Sequence, residues 1–223
     1  MKNINLHFII LIFALLISCK NEDENPVVVH KEVPNADFED WGSVLEFEIP
    51  DGWGTSNFSL FGAVTFNTVT KEQDDVFSGS FCPRLETKGQ IIDNSEVKVV
   101  GLITLGNFDV NIETKKAKVS GGIAFTGRPV ALEGYYKYSG VGLDSCFVDI
   151  AITKYNKTLH FKDTIGKGRF SSASVPDWKK FNLSIDYNSS DDPDSLNIII
   201  LSSDTSIFEP GSTMWVDKLK LTY

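Results

Sequence analysis

The stretch CFVDIAITKY, residues 146–155, alternates apolar and polar side chains with a period of two. Cys146, Val148, Ile150 and Ile152 therefore share one face of an extended strand, with Asp149 on the other. The stretch FNLSIDY (181–187) repeats this pattern. Because helical periodicity is nearly absent elsewhere, the two stretches predict a protein built from β-strands.

Further strands and turns are predicted along the rest of the chain. The additional strand candidates are EVKVVGLITL (96–105), LNIIIL (196–201) and MWVDKLKLTY (214–223). Segments rich in Gly, Pro, Asp and Ser separate the strands, as SGVGLDS (139–145) and NSSDDPD (188–194) do. We expect an all-β fold, a two-sheet antiparallel β-sandwich of jelly-roll type, in one domain over residues 35–223. Residues 157–178 are expected to form a loop over one sheet face.

The N-terminal segment MKNINLHFIILIFALLISCK (1–20) has the features of a secretory signal. Its apolar run, 6–17, is shorter than the roughly 20 residues that span a bilayer. The residues before Cys19 resemble the bacterial lipobox, in which the cysteine becomes lipidated. We expect a signal peptide over residues 1–18 and a lipidated Cys19; the alternative is a buried N-terminal strand.

Residues 19–34 are acidic and carry prolines, which is typical of a solvated tether. A lysine and acidic residues directly after the cysteine resemble the export signal of Bacteroidetes surface lipoproteins. We therefore expect the protein on the outer membrane, facing the cell exterior and held by its lipid alone.

Charge and motif content exclude several function classes. The formal net charge is −9 and no cluster of Lys and Arg is present, which argues against nucleic acid and anionic lipid surfaces as partners. No nucleophile elbow, zinc-protease motif, P-loop or dinucleotide fingerprint occurs, and no cofactor is expected. Cys82 and Cys146 either form a disulfide or remain two buried thiols; their strand-like surroundings favour free thiols.

The stretch GRPVALEGYYKY (127–138) carries the best candidate site. In strand phase Val130, Leu132, Tyr136 and Tyr138 face the core, and the outward face carries Glu133, Tyr135 and Lys137. If this strand forms a hairpin with residues 146–154, Tyr135 lies opposite Asp149. A ring beside a lysine and carboxylates suits a sugar, whose CH face stacks on the ring. The alternative is an ordinary solvated strand face.

Three residues outside this face are further ligand-binding candidates. Trp53, in the turn PDGW, either covers one end of the sandwich or stands exposed as a stacking platform. Trp178 either packs at the start of its strand or contacts ligand. Arg128 either binds sugar hydroxyls or a uronate with its fork-shaped guanidinium, or pairs with a nearby acid.

The catalytic candidates are Glu133 and Asp149, the pair of carboxylates that the assumed hairpin places on one face. Glycoside hydrolysis usually needs two carboxylates, about 5–5.5 Å apart for retention and about 6.5–9.5 Å apart for inversion. A lyase would instead use Tyr135 as base with Arg128 or Lys137. Because neither arrangement has a signature spacing, we rank a glycan-binding module first, a glycoside hydrolase or lyase second, and an adhesive or structural module of a surface complex third.

Four stretches together resemble one family. They are NADFEDW (35–41), PDGWGTSN (50–57), FTGRPVALEGYYKY (125–138) and SSDTSIFEPGSTMWVDKLKLTY (202–223). The chain is similar to the PCMD carbohydrate metabolism domain of Bacteroidetes lipoproteins, whose fold is a jelly roll like those of carbohydrate-binding modules and galactose-binding-like domains. The resemblance implies a role in glycan capture or processing, with an oligosaccharide or polysaccharide as partner. An outer-membrane glycan-uptake complex is a further candidate partner.

The resemblance also implies a metal site. In related jelly rolls an N-terminal acid and a C-terminal aspartate hold a structural Ca²⁺, which here points to Glu39 and Asp217. Lys218 stands where many relatives have a second aspartate. The alternative is that the two acids cap the first and last strands.

Overall fold

The computed structural model describes residues 28–60, 64–92, 94–111, 116–158, 160–204 and 206–223. All regular structure in these ranges is β, and the strands are numbered β1 to β20 in chain order. The predicted signal peptide, Cys19 and the start of the tether lie outside the described residues.

Two antiparallel sheets form the sandwich. The front sheet has the order β17 (Val175–Ser184), β14 (Ala131–Ser139), β20 (Thr213–Thr222), β7 (Cys82–Glu86) and β6 (Val69–Glu72). The back sheet has the order β18 (Asp186–Tyr187), β16 (Phe161–Ser172), β15 (Cys146–Asn156), β19 (Ser195–Leu201), β10 (Leu102–Thr104) and β3 (Gly54–Thr55), with β13 (Ile123–Ala124) also paired to β19.

Within the described ranges, four two-stranded hairpins lie outside these sheets. They are β1 (Trp41–Val44) with β2 (Phe47–Pro50), β4 (Phe58–Leu60) with β5 (Val64–Phe66), β8 (Lys88–Ile92) with β9 (Ser95–Val99), and β11 (Asn107–Asn111) with β12 (Lys116–Ser120). No helix within the described residues is long and apolar enough to cross a bilayer.

The core lies between the two sheets. Leu132, Tyr136 and Tyr138 of β14 enter it from the front sheet, and alternate apolar side chains of β15 and β19 enter it from the back sheet. Each large apolar side chain removed from water contributes about 1.5–3 kcal/mol. The predicted all-β sandwich is confirmed. Val130, which we expected in the core, is exposed because β14 begins one residue later.

Strand pairing differs from the expected hairpin. β14 pairs with β17 and β20, whereas β15 pairs with β16 and β19 in the other sheet. The turn between β14 and β15 therefore crosses from one sheet to the other. The expected loop over residues 157–178 is also wrong, because most of this segment forms β16 and the start of β17.

The predicted strand over residues 96–105 is divided into β9 and β10. The division falls next to Gly101, where a Cβ atom would lie 2.5 Å from the backbone nitrogen of Glu86. This close approach of two chain segments requires glycine and ends the first strand.

The two ends of the described chain meet at one end of the sandwich. The backbone nitrogen of His30 donates to the carbonyl of Ala124, and the Tyr223 hydroxyl donates to the carbonyl of Lys31. The start of β14 lies at this end, since Ala131 is paired with Thr222.

Candidate functional site

The outer face of the front sheet brings four aromatic or cationic side chains together. Tyr135 and Lys137 of β14 point outward and are half-buried, as their alternation with Tyr136 and Tyr138 predicts. Trp178 of β17 and Trp215 of β20 are half-buried on the flanking strands. Lys137 is paired directly with Trp215 in the sheet register.

Residues 73–81, here called the strap, cross this face and cover Tyr135. The Phe77 ring is stacked on the Tyr135 ring with centroids 3.6 Å apart and planes inclined by 13°. It also contacts Trp178, with ring centroids 6.0 Å apart. The Tyr135 ring, which we predicted as a sugar platform, is therefore already occupied by a ring of the same chain.

Asp75 fixes the strap to two of the site residues. One carboxylate oxygen accepts a hydrogen bond from the Trp178 indole nitrogen at 3.0 Å, and the other forms an ion pair with Lys137. Burial lowers the pKa of Lys137, while Glu72 and Asp177 act in the opposite direction. The positive charge of Lys137 is thus neutralised by the Asp75 carboxylate.

Glu39 and Asp217 hold the backbone of the strap from beneath. Both Glu39 carboxylate oxygens accept the backbone N–H of Ser80, at 2.9 and 3.0 Å. Asp217 accepts the N–H of Ser78 at 2.9 Å and that of Lys218 at 2.7 Å. The two acids therefore bind residues 78–81 rather than cap the first and last strands.

Regular strand alternation turns Asp217 outward, under the strap. Asp217 faces the same side as Trp215. At Lys218, which has a φ of 51°, the alternation shifts by one residue, so that Leu219 faces the core. The strap leaves Asp217 fully buried, and this burial, with Glu39 nearby, raises its pKa to about 6.

This arrangement does not fit the implied Ca²⁺ site. Ca²⁺ takes six to eight oxygen ligands, whereas the oxygens of Glu39 and Asp217 face N–H donors. Among the described residues, no group of three or more acidic, His or Cys side chains is arranged to hold a metal.

An open groove of about 450 Å³ lies beside the strap, toward the end of β14. Its lining combines ring surface with polar groups: Lys137, Tyr138, Ser139, Ser174, Pro176 and Trp215. The Lys137 ammonium lies 4.2 Å from the Trp215 ring centroid, and the Arg84 guanidinium lies 5.6 Å from it. The Trp215 indole nitrogen donates to Glu72 at 3.3 Å, which fixes the ring.

The catalytic pair predicted from the sequence is not assembled. Glu133 lies on the outer face of the front sheet, where it forms an ion pair with Lys180 at 2.9 Å. Asp149 lies on the outer face of the back sheet and binds Arg169 through two hydrogen bonds of 2.6 Å. The two carboxylates are separated by the whole sandwich because β14 and β15 belong to different sheets, so Asp149 also lies away from the groove.

Two other predicted ligand residues have structural roles. Trp53 is buried, its ring packs on Phe38 with centroids 5.3 Å apart, and it covers one end of the sandwich instead of standing exposed. The Arg128 guanidinium donates to the carbonyls of Ser189 and Asp191 and lies 4.2 Å from the Tyr187 ring centroid. Arg128 thus holds a loop at the end of the sandwich opposite the groove, and its partners are carbonyls rather than an acid.

Sequence reasoning missed Trp215, Phe77 and Asp75. Trp215 could have been found, because alternation in MWVDKLKLTY places it outward between the buried Met214 and Val216. Phe77 and Asp75 lie in an irregular segment without periodicity, so only the folded structure shows where they lie.

The chain was compared with known proteins. No family model and no curated protein matches it. Among solved structures, a Bacteroides thetaiotaomicron protein described as a candidate glycoside hydrolase aligns over 84% of this chain and 70% of its own, with 18% identity and a TM-score of 0.66. A module specific for non-crystalline cellulose aligns over 89% and 100%, with 12% identity and a TM-score of 0.43. A family 16 carbohydrate-binding module aligns over 70% and 86%, with 10% identity and a TM-score of 0.41. The first of these likenesses shows the shared β-sandwich fold.

Proposed function

We propose that the protein binds saccharides in the groove on the outer face of the front sheet. The observation that carries this proposal is the composition of the groove, in which the Trp215 indole and Pro176 lie beside Lys137 and two serines. Small-molecule sites of this kind combine apolar surface with a few polar groups that orient the ligand.

The groove chemistry matches a pyranose ring. The CH face of the sugar packs on the indole and proline, and its hydroxyls bind the Ser139 and Ser174 hydroxyls and the Lys137 ammonium. The two described cations that contact the Trp215 ring are both paired, Lys137 with Asp75 and Arg84 with Glu86. An uncharged saccharide therefore suits the groove better than a uronate.

The cellular setting is part of the same proposal. The lipobox-like residues before Cys19 and the acidic tether support a lipoprotein on the outer membrane, of the PCMD type, that captures glycans for uptake. The tether enters at the end of the sandwich where β14 begins, and the groove lies at the other end of that strand. About 20 Å of extended strand separates them, so the groove points away from the anchored end.

A glycan array tests the proposal. We expect the protein to bind a defined set of uncharged glycans and Trp215→Ala to lose that binding. Tyr155→Ala serves as the matched control, because it removes a 41% exposed aromatic side chain from the back sheet. Binding that survives Trp215→Ala, or the absence of any binding by the folded protein, contradicts the proposal; the second result favours a protein partner.

A further inference from the structure

We propose that Phe77 determines how long a saccharide the groove can accept, because its ring occupies the next stacking position. This inference rests on the proposed function. In this arrangement the Phe77 ring of the strap covers Tyr135. The saccharide is therefore confined to the part of the outer face of the front sheet that lies around Trp215.

The sheet register places Tyr135 as the direct continuation of the groove. Trp215 is paired with Lys137, and Tyr135 lies two residues earlier on the same strand and the same face. Diagonal neighbours of this kind lie about 7–8 Å apart. Successive pyranose rings are centred closer together than this, so an oligosaccharide that starts at Trp215 would place its second or third ring over Tyr135.

Phe77 imitates a bound sugar in its geometry. Its ring is nearly parallel to Tyr135, with an inclination of 13° and a centroid distance of 3.6 Å. A pyranose uses the same parallel arrangement on an aromatic side chain. Phe77 is nevertheless 39% exposed, so one side of its ring remains open to solvent.

The strap is held by contacts that do not involve the Phe77 side chain. Asp75 binds Lys137 and Trp178 on one side, and Asp217 and Glu39 bind the N–H groups of Ser78 and Ser80 on the other. Removal of the ring therefore uncovers Tyr135 while the strap backbone stays in place.

Titration calorimetry with an oligosaccharide ladder tests this inference. The probes are β-1,4-linked gluco- and galacto-oligosaccharides from the disaccharide to the hexasaccharide. For the wild-type protein we expect affinity to stop rising with chain length once the groove is filled. For Phe77→Ala we expect the longer members to bind roughly threefold to tenfold more tightly, the gain of one added ring stack. Phe77→Tyr keeps a ring on Tyr135 and should behave as wild type.

A second substitution locates the gain. Tyr135→Ala should leave wild-type affinity unchanged, because Phe77 covers the ring, and should abolish the gain in the Phe77→Ala background. The Tyr135→Ala measurement also tests the inference if Phe77→Ala does not fold, since loss of wild-type affinity in folded Tyr135→Ala would overturn it. Equal length dependence of wild type and Phe77→Ala would overturn it too, while leaving the proposed function intact. A wild-type protein that binds none of the probes or array glycans would overturn both.

Discussion

At the scale of single residues, Asp217 is a carboxyl group whose protonation is altered by folding. It is fully buried under the strap, and burial together with Glu39 raises its pKa from 3.8 to about 6. The folded protein therefore holds this proton more tightly than the unfolded chain. The resulting contribution to stability is fully present below the unfolded pKa and is lost as the pH rises through the folded pKa.

We predict that Asp217→Asn removes this pH dependence. The unfolding free energy of the wild type, minus that of the variant, should fall by about 2 to 3 kcal/mol between acidic pH and neutrality, since one pKa unit corresponds to 1.36 kcal/mol. Urea unfolding of both proteins at a series of pH values measures this difference in unfolding free energy. Asp192→Asn, at an exposed position, is the control; a constant difference for Asp217→Asn would contradict the assignment.

The outward direction of Tyr135 and Lys137 could be predicted from the sequence, because a period of two fixes the faces of any strand. The role of Trp53 could not be predicted from the sequence. A tryptophan after a Pro-Asp-Gly turn is compatible with a buried or an exposed ring, and only the packing against Phe38 decides between them. Asp217 likewise follows the outward phase of its strand, yet a segment distant in sequence buries it.

At the scale of elements, the strap depends on a glycine at position 79. Gly79 has φ of +77°, and a Cβ atom there would lie 2.0 Å from a Glu39 carboxylate oxygen. We predict that Gly79→Ala displaces Glu39 and loosens the strap, with a cost of about 1–3 kcal/mol. Hydrogen exchange of the residue 78–81 amides should accelerate while that of the core strands is unchanged.

The substitution Gly142→Ala separates the effect of backbone strain from that of the collision with Glu39. Gly142 also has a positive φ, +63°, but its Cβ position has no neighbour within 4 Å. Its substitution therefore introduces backbone strain without a collision. If both variants lose the same stability, the contact with Glu39 does not contribute to holding the strap.

Strand existence was easier to predict than strand pairing. The alternation in residues 146–155 is a local property, so β15 could be predicted. Its neighbours β16 and β19 are set by pairing between segments that the alternation of one strand does not reveal. The short turn after β14 suggested a hairpin with β15, but β14 pairs with β17 and β20 instead. The polar-rich β16 looked like a loop because β18, on its outer side, is only two residues long and leaves much of it exposed.

At the scale of the whole molecule, the sandwich keeps its two described cysteines apart. Cys82 lies on β7 beneath the strap, whereas Cys146 lies in the core on β15 of the other sheet. Both are free and fully buried. Burial raises both thiol pKa values, that of Cys146 to about 12.

We predict that neither thiol reacts with iodoacetamide in the native protein and that both react after denaturation. Peptide mass spectrometry distinguishes them from Cys19. Detection of a peptide that joins Cys82 to Cys146 would contradict the fold, because the front sheet stands between the two side chains.

The meeting of Lys31 and Tyr223 at one end of the sandwich has a consequence for how the molecule can be handled. A fluorophore, a fusion partner or a chip surface attached at Lys31 or at Tyr223 lies beyond the start of β14, far from Trp215 and Pro176. In a chain that begins near Lys31, a short peptide could join this residue to Tyr223, with new ends opened at an exposed turn such as that around Gly142. A chip surface attached at the new ends of such a permuted chain would then lie beside the groove.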